Sequence, residues 1–471
     1  MRTHLSKIAS TTVLCLSLIL SRAIQAEDAG SIQVPQTQLG IAQSFSPVVK
    51  KSSPAVVNIY TKRKVREVGS VLADPLFGSL FGPFSGVMPV ERIQNALGSG
   101  VIVRADGLVV TNHHIVENSS EIRLVLHDGR EVEAKIVVDD SKTDLALLKI
   151  QNAKGPFPYL DLRSIDTLEV GDLVLAIGNP FGLGQSVTLG IISALARTHV
   201  GEGRYRYYIQ TDAAINRGNS GGALISLDGK LVGVNTFILS ASGGSQGLGF
   251  AIPADLIRQV ISVADQGGKV IRPWLGVKHA PVPQEVADAL GMTRAQGTQI
   301  VAILKGSPAE KAGLQIGDVV THIDERIIED EQALIFRIGT KSVGDTIRLR
   351  IHRKGKQIEL NVTLTAPADI PPRKLTTLKG PHPLNAVTIC NINPAVMAEL
   401  SAAIVDSEGV VVFSIEKEST IDLAPGDILL KINDKKISSV SNVQEALKTA
   451  HPVWQFTIKR GNQKFKFSIR R

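Results

Sequence analysis

Across residues 56–253, short β-branched runs are broken by turn dipeptides. Gly100-Val101-Ile102-Val103 leads through Asp106-Gly107 into Leu108-Val109-Val110-Thr111, and residues 122–126 lead through Asp128-Gly129 into 131–138, where apolar and polar positions alternate. Asp-Gly between two such runs favours a tight hairpin turn, and the alternation puts every second side chain on one buried face. The same pattern predicts strands at 145–150, 173–177, 190–195, 223–226 and 231–235. Many closely spaced strands with few helical stretches predict β-barrels or a sandwich. Residues 62–96 break the rhythm, with Phe77, Phe81 and Phe84 among glycines and a proline. The expectation is one long regulatory loop, because loops of this length inside a folded domain are usually functional and its aromatics favour contacts.

Towards the C-terminus the pattern repeats. The segment from Leu314 to Ile328 aligns without a gap on Leu423 to Ile437, 109 positions further on. Each copy is followed by a helix-like stretch, at 331–338 and 443–449, and then by a hairpin turning at Lys354-Gly355 or Gly461-Asn462. Ser307-Pro308-Ala309-Glu310 reads as a capping box opening a short helix that Gly313 ends. Residues 366–384 carry five prolines and several basic residues, the composition of a semi-stiff linker. The expected order is therefore a leader at 1–26, a β-rich domain at 27–265, a small module at 272–365, the linker at 366–384 and a homologous module at 385–471.

Composition narrows the function. The 471 residues carry a formal charge of +8, and removing Arg2, Lys7 and Arg22 with the leader leaves +5. That charge is too dilute for nucleic acid, which calls for a clustered basic stripe. There is no GxxxxGK[ST], HExxH or CxxC string, so nucleotide hydrolysis and the commonest zinc chemistries are not expected, and neither is any cofactor or metal. Residues 1–26 combine Arg2, His4 and Lys7, an apolar run over 8–20, and small residues up to Ala26. This is the pattern of a cleavable secretory signal peptide and is short for a membrane span, which takes about 20 apolar residues. No integral membrane segment is expected in the mature chain. Cys15 belongs to the leader, which leaves Cys390 as the single cysteine of the mature chain, a buried apolar filler with no disulfide partner.

Gly218-Asn219-Ser220-Gly221-Gly222 is the sharpest chemical signal. A nucleophilic serine has to stand on a tight turn, and flanking glycines permit one. The same turn can aim the Gly218 and Ser220 amides at a developing oxyanion. Thr111-Asn112-His113-His114-Ile115-Val116 follows a strand, and Thr143-Asp144-Leu145 opens another. The order His, Asp, Ser is that of double-barrel serine proteases.

These motifs resemble those of the HtrA/Deg family of trypsin-like serine proteases, and the two C-terminal modules resemble PDZ domains, as in the two-PDZ DegP/DegQ branch. The likeness covers nearly the whole mature chain. It implies a mainly β fold: a trypsin-like double β-barrel followed by two PDZ domains, small α+β sandwich modules. It also implies His114 as base, Asp144 as its orienting partner, Ser220 as nucleophile, and an oxyanion hole from Gly218, Asn219 and Ser220. Ile215 and Leu248 would line the primary specificity pocket and favour small or medium apolar side chains, since a buried unpaired Lys or Arg is costly. Asn219 is neutral and cannot form the ion pair that follows zymogen cleavage, so a loop rearrangement is expected instead, through residues 196–208 with Arg197 as relay. Leu275, Gly276 and Val277 resemble a PDZ carboxylate-binding loop. The second module's counterpart, Leu384-Asn385-Ala386-Val387-Thr388, lacks the glycine, which favours a subunit-contact role. The implied function is an ATP-independent periplasmic endopeptidase that degrades misfolded or unfolded proteins, binds their C-termini, and assembles from trimers. The alternative is a chaperone or scaffold with minor proteolysis.

Overall fold

Two closed antiparallel barrels form the N-terminal half of the computed structural model. The first contains β1 (Val56–Glu67), β2 (Val90–Arg104), β3 (Leu108–Thr111), β4 (Ser119–Val125), β5 (Glu131–Asp140) and β6 (Leu145–Ile150) in the order β1-β2-β3-β6-β5-β4. The second contains β7 (Leu173–Gly178), β8 (Ser186–Arg197), β9 (Tyr208–Thr211), β10 (Ala223–Ser226), β11 (Leu231–Ile238) and β12 (Gly249–Pro253) in the equivalent order β7-β8-β9-β12-β11-β10. Closure leaves no open sheet edge. The described residues are 44–67, 90–179, 184–198, 205, 207–216, 218–240, 244–265, 267, 271–400, 408–416 and 421–470, with the side chains of 63–67 and 90–96 set aside. The leader with Cys15, and Phe77, Phe81 and Phe84, lie outside them. Both barrels and both modules lie within one unit, Val48–Arg471.

Burial explains which strands the pattern reveals. β5 keeps one face in solvent and alternates, whereas β3, β10 and β12 are buried at every position. A strand covered on both faces reads as a continuous apolar run. The helix Ala254–Asp265 buries Leu256, Ile257, Val260 and Val263 at three-to-four spacing and packs on β5 and β6 of one barrel and β11 and β12 of the other. It therefore clamps the two barrels. The expected loop at 62–96 is shorter than its pattern suggested: β1 and β2 remain paired from Lys62↔Asn95 to Glu67↔Val90. The charged run after Thr61 has no apolar alternation, so this pairing rests on the backbone ladder and left no mark in the pattern.

The first module forms a sheet from β13 (Val277–Pro281), β14 (Thr298–Ile303), β15 (Val319–Ile323), β17 (Thr346–Arg353) and β18 (Lys356–Thr363), with β16 (Arg326–Ile327) on β15. The second uses β19 (Thr376–Thr377), β20 (Val387–Asn391), β21 (Val410–Ile415), β22 (Ile428–Ile432), β24 (Val453–Arg460) and β25 (Gln463–Arg470), with β23 (Lys435–Lys436) on β22. The repeated Gly-Asp has a structural reason. Gly317 and Gly426 turn at φ 93° and 97°, and the acids that come next are buried in bidentate ion pairs. Arg353 reaches Asp318 at 2.7 and 2.6 Å, and Arg460 reaches Asp427 at 2.7 and 2.8 Å. The capping box at Ser307 is half made: Ser307 accepts from the Glu310 amide, while the Glu310 carboxylate takes the Gly306 amide. A complete box at Ser439 and Asn442 starts the helix Val440–Ala446 three residues before the expected position. Cys390 is fully buried.

Candidate active site

The chemistry-bearing residues gather where the barrels meet. The single helical turn His113–Val116 follows the end of β3, and β3 pairs with β6 through Thr111↔Ala146. That pairing brings Asp144, just before β6, beside the histidine turn. Asp144 has a left-handed backbone, φ 55°, a conformation Asp tolerates better than most residues. His114 Nδ1 lies 3.0 and 2.9 Å from the two Asp144 carboxylate oxygens, and the His114 amide donates to Oδ1 at 3.0 Å. The Asp144 carbonyl accepts from Asn112 Nδ2 at 3.0 Å and from the His113 amide at 3.1 Å. With the proton held on Nδ1, Nε2 is left as the basic nitrogen. His113 turns to a different acid, with Nδ1 2.5 Å from Asp139 Oδ1.

The nucleophile turn is shaped by contact. A Cβ on Gly221 (φ 82°) would lie 2.1 Å from the Ser99 carbonyl oxygen, and one on Gly222 2.3 Å from that of Ile177. Ser99, fully buried on β2, pins the turn. Its amide donates to Ser220 O at 2.9 Å, and its hydroxyl donates to Gly218 O at 2.7 Å while accepting from the Asn179 amide at 2.9 Å. Thr111 Oγ1 donates to the Ser99 carbonyl at 2.7 Å. One first-barrel residue thus ties the turn to the end of β7 in the second barrel. Sequence reasoning missed it; its only mark is a serine between Gly98 and Gly100.

Among the described residues the Gly218 and Ser220 amides donate to no protein acceptor, whereas the Asn219 amide donates to Asn216 O at 3.0 Å. Of the three residues expected at the oxyanion hole, Asn219 therefore has its N–H engaged within the turn, while the amides of the other two face no acceptor among the described residues. The Asn219 side chain is buried against Gly178, a place where a neutral amide costs less than a carboxylate. Ser220 Oγ donates to Thr236 O at 3.0 Å, and Thr236 Oγ1 accepts from Asn112 Nδ2 at 3.1 Å. Asn112 and Thr236 thereby connect the Asp144 side of the site with Ser220. Their roles were missed in the sequence, because the links form only across the junction between the barrels.

Ile215 is buried and packs on Gly249, where a Cβ would meet its Cδ1 at 2.9 Å, and the neighbouring Leu248 is partly exposed. Both are uncharged. Arg197, at the end of β8, donates to Gln210 at 2.7 Å. The described parts of the loop around it reach the first module through other residues. Thr198 donates to Asp330 at 2.5 Å, and Tyr207 stacks on Phe336 with ring centroids 3.8 Å apart. Asp330 is also the N-cap of the helix Glu331–Gly339, accepting the Ala333 amide at 2.8 Å. That helix packs beside β13, the edge strand of the first module's sheet. Leu275 is buried, and Gly276 turns at φ 82° just before β13, against Ser307 and Trp274.

Comparison with known proteins agrees with this fold. Residues 98–234 match the trypsin-like peptidase domain family, and residues 273–364 match the PDZ domain family. The chain is 37% identical to a probable periplasmic serine endoprotease DegP-like of Chlamydia trachomatis, over 90% of this chain and 88% of the relative. It is 35% identical to the periplasmic serine endoprotease DegP of Escherichia coli K12, over 97% of each. Among solved structures it resembles the HtrA-type protease AlgW with decapeptide: TM-score 0.51, 39% identity, 69% of this chain and 99% of that one. With the double barrel, the PDZ match and relatives of this identity along most of its length, the chain belongs to the HtrA/DegP family of trypsin-like serine endopeptidases with PDZ domains.

Proposed function

We propose that this endopeptidase cleaves unfolded or misfolded polypeptides in the periplasm, without ATP, through Ser220, His114 and Asp144. The observation that carries the proposal is the His114–Asp144 pair at 2.9 Å, joined through Asn112 and Thr236 to a serine whose turn presents two amides with no acceptor among the described residues. In the reaction the Ser220 hydroxyl leaves Thr236 O and passes its proton to His114 Nε2 as Oγ attacks the peptide carbonyl. The Gly218 and Ser220 amides hold the oxyanion, and the imidazolium then protonates the leaving amine. Water, deprotonated by the same nitrogen, releases the acyl group. Asp144 keeps the ring in the required tautomer throughout.

Ile215 and Leu248 support cleavage after Val, Ala or Ile. Such side chains are normally buried in folded proteins, which makes unfolded chains the natural substrate. The periplasmic location rests on the names of the relatives and on the leader pattern, and assembly from trimers rests on the family likeness. Leu275, Gly276 and Val277 would receive a peptide C-terminus, with β13 accepting the peptide as an added strand. The contacts of Thr198 and Tyr207 with the helix Glu331–Gly339 give such binding a route to the loop that precedes the nucleophile turn. Digestion of unfolded casein by the mature chain tests the proposal. Cleavage after small apolar residues without ATP supports it, and casein left intact, or cut mainly after Lys and Arg, contradicts it.

A further inference from the structure

The two modules differ at one edge. In the first, β13 is the last strand of its sheet; in the second, β20 has β21 on one side and the linker strand β19 on the other. Three features of the described backbone are shared. Gly276 (φ 82°) and Ala386 (φ 64°) both take a left-handed turn just before the strand. The carbonyl of Gly276 accepts the Leu304 amide at 2.9 Å, and that of Ala386 accepts the Glu416 amide at 3.0 Å. Both strands then shift register after their second residue, between Lys278 and His279 and between Thr388 and Ile389. Ala386 therefore reproduces the loop geometry although the glycine is absent. The missing glycine, which in the sequence spoke against peptide capture, does not alter the backbone path.

The linker lies where a peptide would lie. Thr376 pairs with Ile389 and Thr377 with Thr388, antiparallel, and further back Arg373 O accepts the Asn391 amide at 2.7 Å. At the loop end, the Leu378 amide donates to Val387 O and the Leu378 carbonyl accepts the Ala386 amide, both at 2.9 Å. A carboxylate-binding loop offers just such an amide to the last residue of a peptide. The Leu378 side chain is buried with Leu384 and Val387 and with Val440, Val443 and Ala446 of the helix Val440–Ala446. Strand addition, a loop amide on the final carbonyl and an apolar end residue in a pocket beside the helix are all present, supplied in cis.

We infer that the second module is a receptor for extended peptides with an apolar end residue, and that the chain's own Thr376-Thr377-Leu378 fills it. The inference rests on reading the first module's β13 edge as a peptide groove. Because a short tether holds the segment at about millimolar effective concentration, an incoming peptide meets an occupied groove. Displacing the segment opens the site.

The test counts sites for a fluorescent peptide with a free apolar C-terminus, on the full mature chain carrying S220A. Leu378→Asp puts a charge into the apolar pocket and should expose one more site per chain than the parent, with about tenfold or greater gain in affinity there. An amidated peptide should bind that site more weakly. A second protein has a specific protease site inserted between Gly380 and Pro381; cutting it frees the segment without altering the pocket and should also add one site. This arm decides the matter if Leu378→Asp does not fold. No additional site in the folded Leu378→Asp chain or in the cut chain overturns the inference. A parent with no site and a variant with one would sink the first-module reading and leave this one standing.

Discussion

At the scale of single residues, Ser99 has every polar atom engaged, and Ser99→Ala would leave the Gly218 carbonyl and the Asn179 amide without their partner. Ser99 touches no reacting atom, so its effect should run through the oxyanion donors. Deleting such a donor outright costs about 10²–10³ in kcat, and loosening the turn should cost about 10–100-fold with KM little changed. Steady-state kinetics on a peptide substrate checks this, and a loss confined to KM would contradict it. His114→Ala should approach the roughly 10⁶-fold loss seen when a protease triad member is removed. His113→Ala, which breaks the contacts with Asp139 and Glu117, should keep most of the activity. Burial pushes the Cys390 thiol up to about 12, so almost no thiolate exists at pH 8 and a thiol reagent should label it only on unfolding. That His114 meets Asp144 and that Ser220 stands on a tight glycine turn was legible, because each sits in a short local motif. Ser99, Asn112 and Thr236 were not, since their roles arise only when the barrels come together.

At the scale of elements, the repeated Gly-Asp turn marks a buried ion pair in each module. Asp427→Asn keeps the shape and removes the charge, and should destabilise the second module by about 2–3 kcal/mol. That is slightly below the usual cost of breaking a buried pair because Arg460 is partly solvated. Thermal unfolding of the full chain should show the loss as an earlier transition. The helix Glu331–Gly339 is the element shared by the first module and the catalytic domain. A stacked aromatic pair is worth about 0.5–1.5 kcal/mol, so Tyr207→Ala should reduce the ratio of peptide-stimulated to basal cleavage by about 2–10-fold. An unchanged ratio would remove this helix from the route. Strands with one solvent face, such as β5, were readable from alternation, and fully buried ones, such as β3, from apolar runs bounded by Asp-Gly. β19 was unreadable: two threonines in a proline-rich linker carry no periodicity, and only the partner strand makes them a strand.

At the scale of the whole molecule, contacts join the catalytic domain to both modules. Arg272 pairs with buried Asp140, Arg337 with Asp166 at 2.6 Å, and Lys142 donates to Ala398 O at 2.6 Å. A cavity of about 490 Å³ lies at this junction, lined by Asp139, Tyr205, Arg272, Trp274 and Arg373. Asp139 is the residue that holds His113, so the junction lies one residue from His114. Removing everything from Arg272 onward should abolish the response to peptides with a free apolar C-terminus, and a truncated domain that still responds would place activation in the cleft itself. The catalytic assignment beneath all of this is tested most directly by mapping the adduct formed when the full chain is exposed to a fluorophosphonate. The expected result is one adduct per chain on Ser220, with casein cleavage lost in step with labelling and both absent in Ser220→Ala. An adduct on another residue, or casein digested by Ser220→Ala at the parent rate, would contradict it.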